Sequence, residues 1–561
     1  MVLSCAELYA AAQEELMRAA MYIHGLGSEE EVETWMLEQL EGMRPVSVNA
    51  PGKKAGLILS DYQLATLEDY RSHSGDILSF EELALVDGFG KEAVDALKPF
   101  LSLWSPRVAG SIDTVKTHGD WLLRATEKNI GTKVKVTGRA FQIAAAARTD
   151  SWKSLKGAFR TAHAEVNCRN WTLTLGDYNV RYGQGLAHWS GFTMSSLSTP
   201  DAFIRRPAGI SPQWSFSQPS HRGAAVEYGS RGLSAAVFAD IDGFIGTHVG
   251  KLWRYGQVGM SLMSGGSGKP TVSMDGRLNY KGVDFAGEAA AAGGTGAIQG
   301  AAGMKAGGLR LVFQGRAIPS GFSGKKNGEF GLAAGASWKS EKWRQLTGKS
   351  GFGSSVPAHS AYITADMAFL PIRAIDTDRR QIRIYADWKW QTSGTISLQT
   401  HFTGRYRNYE PGRSDLRTDV HFASGPWLAN GRLEGVYCET PGFLGYLEGG
   451  YKDDTLVGYV RLGAFSTGGW SSRIYCYERD APGSFNVPAY YGNGISASLY
   501  GYWKVLFGPS HQGKTSPAAR LQGKTPRTAS LRGKVCLRAA CTWKPSSPPA
   551  PSLRLQLQLA L

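Results

Sequence analysis

Leu553-Arg554-Leu555-Gln556-Leu557-Gln558-Leu559-Ala560-Leu561 alternates apolar and polar residues almost without a break. A strand has a side-chain period of two, so Leu553, Leu555, Leu557, Leu559 and Leu561 share one face. A strand in a membrane barrel needs such a ridge, because lipid wets its outer face while the other face looks into a polar lumen. A soluble sheet can produce the same pattern, so the reading rests on the remainder of the chain.

Two further segments repeat it. Ile382, Ile384, Ala386, Trp388 and Trp390 alternate with Arg383, Tyr385, Asp387 and Lys389. After Thr392-Ser393-Gly394, the residues Ile396, Leu398, Thr400, Phe402, Gly404 and Tyr406 alternate with Ser397, Gln399, His401, Thr403 and Arg405. This predicts a long hairpin with one apolar and one polar face. Arg222 to Tyr228 and Leu233 to Ile241 flank Gly229-Ser230-Arg231-Gly232 in the same manner.

Composition points the same way. The 561 residues include 70 Gly, 23 Tyr, 16 Trp and 22 Phe, and the mean hydropathy is −0.24. Lumen-facing residues dilute the hydropathy of a barrel, and aromatic residues mark its two interfaces. With no run of about 18 apolar residues, a helical membrane protein is excluded. The expected architecture is α+β: a small helical domain at residues 14–104, then a large antiparallel transmembrane β-barrel at 105–561. At roughly 22 to 28 residues per strand, the second part predicts about 16 to 20 strands.

The N-terminal part has helical signals. Ser28-Glu29-Glu30-Glu31 has the form of a capping box, with Ser28 as N-cap, opening a helix that carries Val32, Trp35, Met36 and Leu40 and ends by Pro45. Ser60 caps a second helix with Tyr62, Leu64, Leu67 and Tyr70 as apolar positions. A third is expected from Phe80 to Val86, and a fourth from Lys91 to Leu97 before Pro99. Between the last two, Gly88-Phe89-Gly90 predicts a sharp turn plugged by its apolar middle residue.

The stretch Leu83–Leu97 resembles a helix-hairpin-helix motif, with a degenerate earlier copy from Val48 to Tyr70. In that motif the turn holds a DNA phosphate, which here assigns Gly88, Phe89, Gly90 and Lys91 as the nucleic-acid-binding alternative. Charge opposes it. Residues 1–100 carry 7 Lys and Arg against 18 Asp and Glu, a net of −11, and Asp87 precedes the turn. An acidic module repels a polyanion. The whole chain is +15, so residues 101–561 carry +26. Such a barrel has a lumen or rim that favours anions, or contacts lipopolysaccharide phosphates; simple solvation of loops and lumen explains the charge equally well.

Leu175-Gly176-Asp177-Tyr178-Asn179-Val180-Arg181-Tyr182-Gly183-Gln184-Gly185-Leu186, followed by Trp189-Ser190-Gly191-Phe192, closely resembles a signature of helix-hairpin-helix-containing outer-membrane β-barrel proteins of Gram-negative bacteria. The resemblance extends to Arg222-Gly223-Ala224-Ala225, to Leu59–Leu64 and to Tyr70–Gly75. It implies a barrel in the outer membrane and a helical domain in the periplasm, without an established activity. In physical terms the signature residues Gly176, Asp177, Tyr178, Arg181, Gly183, Gln184, Gly185 and Trp189 are expected to be structural. The glycines, with Gly191, suit bulges and barrel corners. Asp177, Arg181 and Gln184 suit bridges inside the lumen or an inward-folded loop.

Other motifs carry less. Residues 1–13, with Ala10-Ala11-Ala12, are expected to be the remnant of a signal peptide, and Val2-Leu3-Ser4-Cys5 also fits a lipoprotein cleavage box. The six cysteines show no metal or redox spacing; an envelope location permits a disulfide such as Cys438 with Cys476. Gly508-Pro509-Ser510-His511-Gln512-Gly513-Lys514-Thr515 satisfies the P-loop pattern, but Pro517 and a low-complexity stretch follow where a helix is required. Residues 508–534 are instead expected to be a basic flexible loop on the outer side, with Lys514, Arg520, Lys524, Arg527, Arg532 and Lys534 and no acid. Eleven dispersed histidines and no carboxylate pair give no catalytic residues. No cofactor or metal is expected, and the chain is not read as an enzyme.

The functional expectation is a pore or envelope assembly component whose periplasmic domain, 14–104, docks a protein partner, with outer-membrane lipid and lipopolysaccharide around the wall. A DNA-binding or DNA-uptake role is the alternative.

Overall fold

A computed structural model describes residues 13–41, 43, 45–105, 117–152, 154, 159–191, 197–217, 219–230, 232–253, 255–265, 269–324, 328–340, 358–370, 379–392, 395–453, 455–507, 531–545 and 547–560. The signal-peptide and lipobox readings at 1–12, the P-loop pattern at 508–515 and most of the basic loop fall outside them. Gln13 already begins a helix, Gln13–His24, and Leu531 to Lys534 open a strand, Leu531–Lys544.

The larger part is a closed antiparallel barrel of 24 strands. Ser547–Ala560 pairs with His118–Thr126, from Ala560 opposite Asp120 to Arg554 opposite Thr126, and so closes the ring. The expected 16 to 20 strands were too few. Many connections are two-residue turns, as between Ser230 and Leu233 or Tyr280 and Val283, so each strand uses less chain than assumed. A short strand, Gly209–Pro212, adds to the end of Trp171–Arg181.

The faces follow the alternation. Leu555 is 46% exposed and Gln556 only 2%. Val134 is 41% exposed, whereas Lys133 beside it is fully buried. An apolar outside around a polar inside inverts the soluble pattern and matches a wall surrounded by lipid. Aromatic pairs bridge neighbouring strands at one end of the barrel, the end where most of the tight turns lie. Trp171 meets Tyr228 at 4.8 Å, Tyr255 meets Tyr280 at 5.8 Å and Trp427 meets Tyr451 at 5.1 Å between ring centroids, as an interfacial girdle requires. No described helix is long and apolar enough to cross a membrane.

The helical part precedes the first barrel strand. Ser60 caps helix Asp61–Ser74 through a full capping box with Gln63. Ser79 caps a single turn, Phe80–Leu83, shorter than the expected Phe80 to Val86. Helix Gly90–Leu97 follows as expected. Ser28 is a correction. Its side chain makes no cap bond, Glu29–Glu31 is one 3-10 turn, and the helix starts only at Thr34. Tertiary partners have taken the acids: Glu31 accepts from the Gly27 N–H at 3.1 Å and the Ser198 hydroxyl at 2.7 Å, and Glu30 faces arginines. Leu16, Ile23, Leu37, Leu67, Leu83 and Leu97 form an apolar core for this part, with Tyr477 from a barrel connection packed into it.

Candidate functional site: the helical region inside the lumen

The sequence reading expects a docking piece standing outside the barrel. The geometry corrects this: the helical region packs against inward-facing side chains of strands around the ring. Glu30 binds Arg432 at 2.6 Å and Arg417 at 2.9 Å, and accepts the Tyr477 N–H at 3.1 Å. Glu14 binds Arg479 at 2.6 Å and Lys452 at 2.9 Å, and accepts the Tyr459 hydroxyl. On strand Ile130–Thr137, Lys133 reaches Glu41 at 3.0 Å. The carbonyl of Gly25 accepts from Thr199 in a connection folded into the lumen. The charge asymmetry of the sequence is thereby resolved as contact between an acidic insert and a basic wall.

These pairs are desolvated, so their carboxylates respond strongly to their neighbours. Burial alone would raise the Glu14 carboxyl, but Arg479, Lys452 and the Tyr459 hydroxyl hold it down at about 2. Glu30 lies well below the ordinary carboxylate range, because Arg432 and Arg417 outweigh its burial. Glu29, next to it, is pushed up by burial and by the Glu30 charge.

Two connections between strands also fold inward. The connection 182–220, as far as it is described, links Trp171–Arg181 to His221–Ser230 and carries the second half of the signature, whose first half lies on the strand. The Glu288 carboxylate, on the wall, accepts N–H groups from Gln184 at 2.7 Å, Leu186 at 3.0 Å and Ala187 at 3.0 Å. Gly183 has φ +66°, and a Cβ there would lie 2.6 Å from that carboxylate, so the clamp requires glycine. Gly176, Gly185 and Gly191 also have positive φ. Asp177 accepts from Arg222 at 2.7 Å and from the Ala162 N–H at 2.6 Å. The Tyr178 hydroxyl donates to the Ala239 carbonyl at 2.8 Å. The Gln184 side-chain amide oxygen, Oε1, accepts the Arg205 backbone N–H at 3.0 Å, and Trp189 pairs with Arg181 in an isolated bridge. Arg181 donates to the Ser190 carbonyl at 3.1 Å and stacks on Trp35 of the helical region.

The second connection, 468–492, supplies Tyr477 and Arg479 to the helices and is itself tied to the wall by Glu478 with Arg538 and Asp480 with Arg554. It also holds Cys476, and here the disulfide expectation fails. Cys438 and Cys476 are both free thiols. The Cys476 sulfur lies 3.6 Å from Arg432, six residues and about 20 Å along the strand from Cys438.

The Gly88–Lys91 turn lies at the barrel end where His118 enters and Ala560 leaves. Gly88 and Gly90 have φ of +83° and +71°, and Phe89 is buried beneath the turn. The Gly88 N–H donates to the Asp87 carboxylate at 2.9 Å, Gln63 donates to the Gly88 carbonyl at 2.9 Å, and Tyr62 donates to Asp87. One N–H that a phosphate would need is therefore already satisfied by an acid. Glu92, in the following helix, pairs with Lys339 at the end of strand Glu329–Lys339.

Beside the helices a cavity of about 1110 Å³ remains, lined by Trp35, Glu38, Lys135, His163, Glu227 and Asp275 among others. Among the described residues no group of three or more His, Cys, Asp or Glu could hold a metal. Sequence reasoning missed Glu14, Glu30, Glu41, Lys133, Arg417, Arg432 and Arg479. Their one signal was the opposite net charge of the two parts.

A closed sheet with an apolar outside, a polar inside and its own helices in the lumen defines a membrane-spanning β-barrel with an internal plug. No family model matches the chain, and no curated protein matches it. Among solved structures, the translocation pore of the P pilus usher PapC is similar over 79% of this chain and 98% of its own, at 8% identity and a TM-score of 0.36. The outer membrane protein OpdK from Pseudomonas aeruginosa is similar over 80% and 99%, at 10% identity and a TM-score of 0.28. PapC in an E. coli P pilus tip assembly intermediate with PapD, PapK and PapG is similar over 82% and 62%, at 11% identity and a TM-score of 0.35. At these values neither a strand-by-strand correspondence nor a function carries over.

Proposed function

We propose that the chain is an outer-membrane β-barrel, a pore or envelope assembly component, held closed by its own helical region. The observation that carries this reading is the seating of an acidic insert on inward-facing cations, above all Glu30 between Arg417 and Arg432. A barrel this wide leaves a lumen unless something fills it. The barrel end that carries His118 and Ala560 has mostly tight turns, while the longer inward-folded connections 182–220 and 468–492 belong to the other. Phe507 pairs with Leu531 and Arg532 with Ala560, so the basic connection 508–530 joins strands at the His118 and Ala560 end, opposite to the outer side expected of it. Short turns mark the periplasmic side. The helix-hairpin-helix-like turn then faces the periplasm at the mouth, where it serves to dock a protein partner, with outer-membrane lipid and lipopolysaccharide around the wall. Expressed with a signal peptide, the protein is expected in the outer-membrane fraction with heat-modifiable migration on a denaturing gel. Recovery as a soluble monomer would sink the reading. The DNA alternative rests on Gly88, Phe89, Gly90 and Lys91, and the Asp87 carboxylate at that turn weighs against it.

A further inference from the structure

The cations that seat the plug belong to a continuous row on the wall and the inward connection. Arg417, Arg432 and Arg461 lie on three strands, Arg479 stands before them, and Lys452 completes the group. Wall carboxylates cover part of this charge. Asp419 binds Arg417 at 2.8 Å and Arg432 at 2.6 Å; Glu448 binds Arg461 at 2.8 Å and Arg479 at 2.9 Å. Glu434 is the third acid acting on the row. Five cations thus outnumber the three wall carboxylates, and the helical region supplies the remaining salt bridges, Glu30 to Arg417 and Arg432 and Glu14 to Arg479 and Lys452, with Glu29 beside them. Aromatic rings floor the row, with Arg479 3.7 Å from the Tyr459 ring centroid and Arg461 4.0 Å from that of Tyr446. Planar guanidinium groups fixed in this way suit multidentate recognition of oxyanions.

We propose that this row is an anion-binding site of the lumen, that Glu14 and Glu30 occupy it in the closed protein as substitutes for its ligand, and that the ligand is a small multivalent phosphate or carboxylate anion. The inference rests on the plugged-pore reading and adds to it the class of solute. Withdrawal of the helices strips two carboxylates from a desolvated cluster and leaves uncompensated positive charge in the passage, so anions enter in preference to cations. A soluble polyanion competes with the plug for the same guanidinium groups, and binding and opening are therefore linked.

The test uses the full chain in planar bilayers under a potassium chloride gradient, with heat-modifiable migration confirming that each variant is folded. The Glu14→Gln, Glu30→Gln double variant is expected to open more often than the wild type and to show a chloride-favouring reversal potential. Inorganic tripolyphosphate or citrate should block its current, and comparing the two separates phosphate from carboxylate preference. Adding Arg417→Gln and Arg479→Gln should weaken the block about tenfold. In the wild type, tripolyphosphate should speed proteolysis of the helical region by competing for its seat. Open channels that prefer potassium, or that neither anion blocks, overturn the anion site and leave the pore. Folded protein that conducts in no variant overturns the pore and this inference with it.

Discussion

The guanidinium carbon of Arg181 lies 3.7 Å from the centroid of the Trp35 ring, which joins the signature strand to the second helix of the plug. Arg181 is almost completely buried, and its Nε donates to the Ser190 carbonyl. The signature thus builds the socket into which the helical region fits, and Gly191, at φ +92°, lies against the indole of Trp35.

Removing either partner should loosen the plug. Trp35→Ala and Arg181→Ala are expected to be non-additive, with a coupling of about 1–2 kcal/mol, because a buried cation–π contact is lost only once. Protease accessibility of residues 13–105 in a double-mutant cycle measures it. Strict additivity would place the plug's anchor elsewhere.

The two hairpin glycines should differ. At Gly88 a Cβ would come within 2.7 Å of the Tyr62 ring at φ +83°, whereas at Gly90 nothing lies within 4 Å. Gly88→Ala should therefore destabilise the helical region by about 2–3 kcal/mol, and Gly90→Ala by about 1 kcal/mol, the cost of the left-handed backbone alone. Thermal unfolding of the full chain ranks them. Equal midpoints would contradict the tight approach to Tyr62.

Acid should unseat the plug. The Glu14 carboxyl is lowered from 4.5 to about 2, so its stabilisation is complete above the ordinary carboxylate range and is lost as pH falls from about 5 through about 2. The contribution is on the order of 3 kcal/mol. Glu38 works in the opposite sense, because burial raises its carboxyl and protonation favours the folded state. The fluorescence difference between the wild type and Trp35→Phe, followed from pH 6 to 2, should report release, and Glu14→Gln should flatten the transition. A variant with an unchanged profile would remove Glu14 from the seat.

Thiol chemistry gives a separate check. Cys168 is exposed, while Cys476 is buried with its thiol pushed up to about 12 by that burial, against the pull of Arg432 and Arg461. A maleimide should label Cys168 in the native protein and reach Cys476 only after unfolding, since the thiolate is the reactive form. Reduction should leave gel mobility unchanged. A mobility shift on reduction would restore the Cys438–Cys476 disulfide.

Duplex DNA should not bind the helical region at about 150 mM salt, because an acidic surface opposes the polyanion. Fluorescence anisotropy with the full chain and its Lys91→Glu variant tests this. Tight binding that is lost in the variant would make DNA the ligand.

The strands were legible because their signal is local: the alternation from Leu553 to Leu559 states which face meets lipid without knowledge of any neighbour. The Ser60–Gln63 capping box was legible for the same reason. Ser28 misled because its acids are engaged across the molecule, Glu30 with Arg432, 402 residues away. No periodicity encodes such a pair. Strand number was missed because it depends on how short the connections are, and the interior position of the helices because only net charge hinted at it. Gly183 was read as structural from its place in the signature, but its partner, the Glu288 carboxylate, has no sequence signature.

The pairing of Asp120 with Ala560 gives the ring a single seam. A finished hoop has no side door, so residues 13–105 must reach the interior while that seam is unstitched, or later through one mouth. The stretch that fills the container precedes every stave of it in the chain, and the stave that locks the hoop comes last. Insertion of this protein is thus a matter of timing: the wall has to curl around a guest that is already folded, or wait for one to thread in.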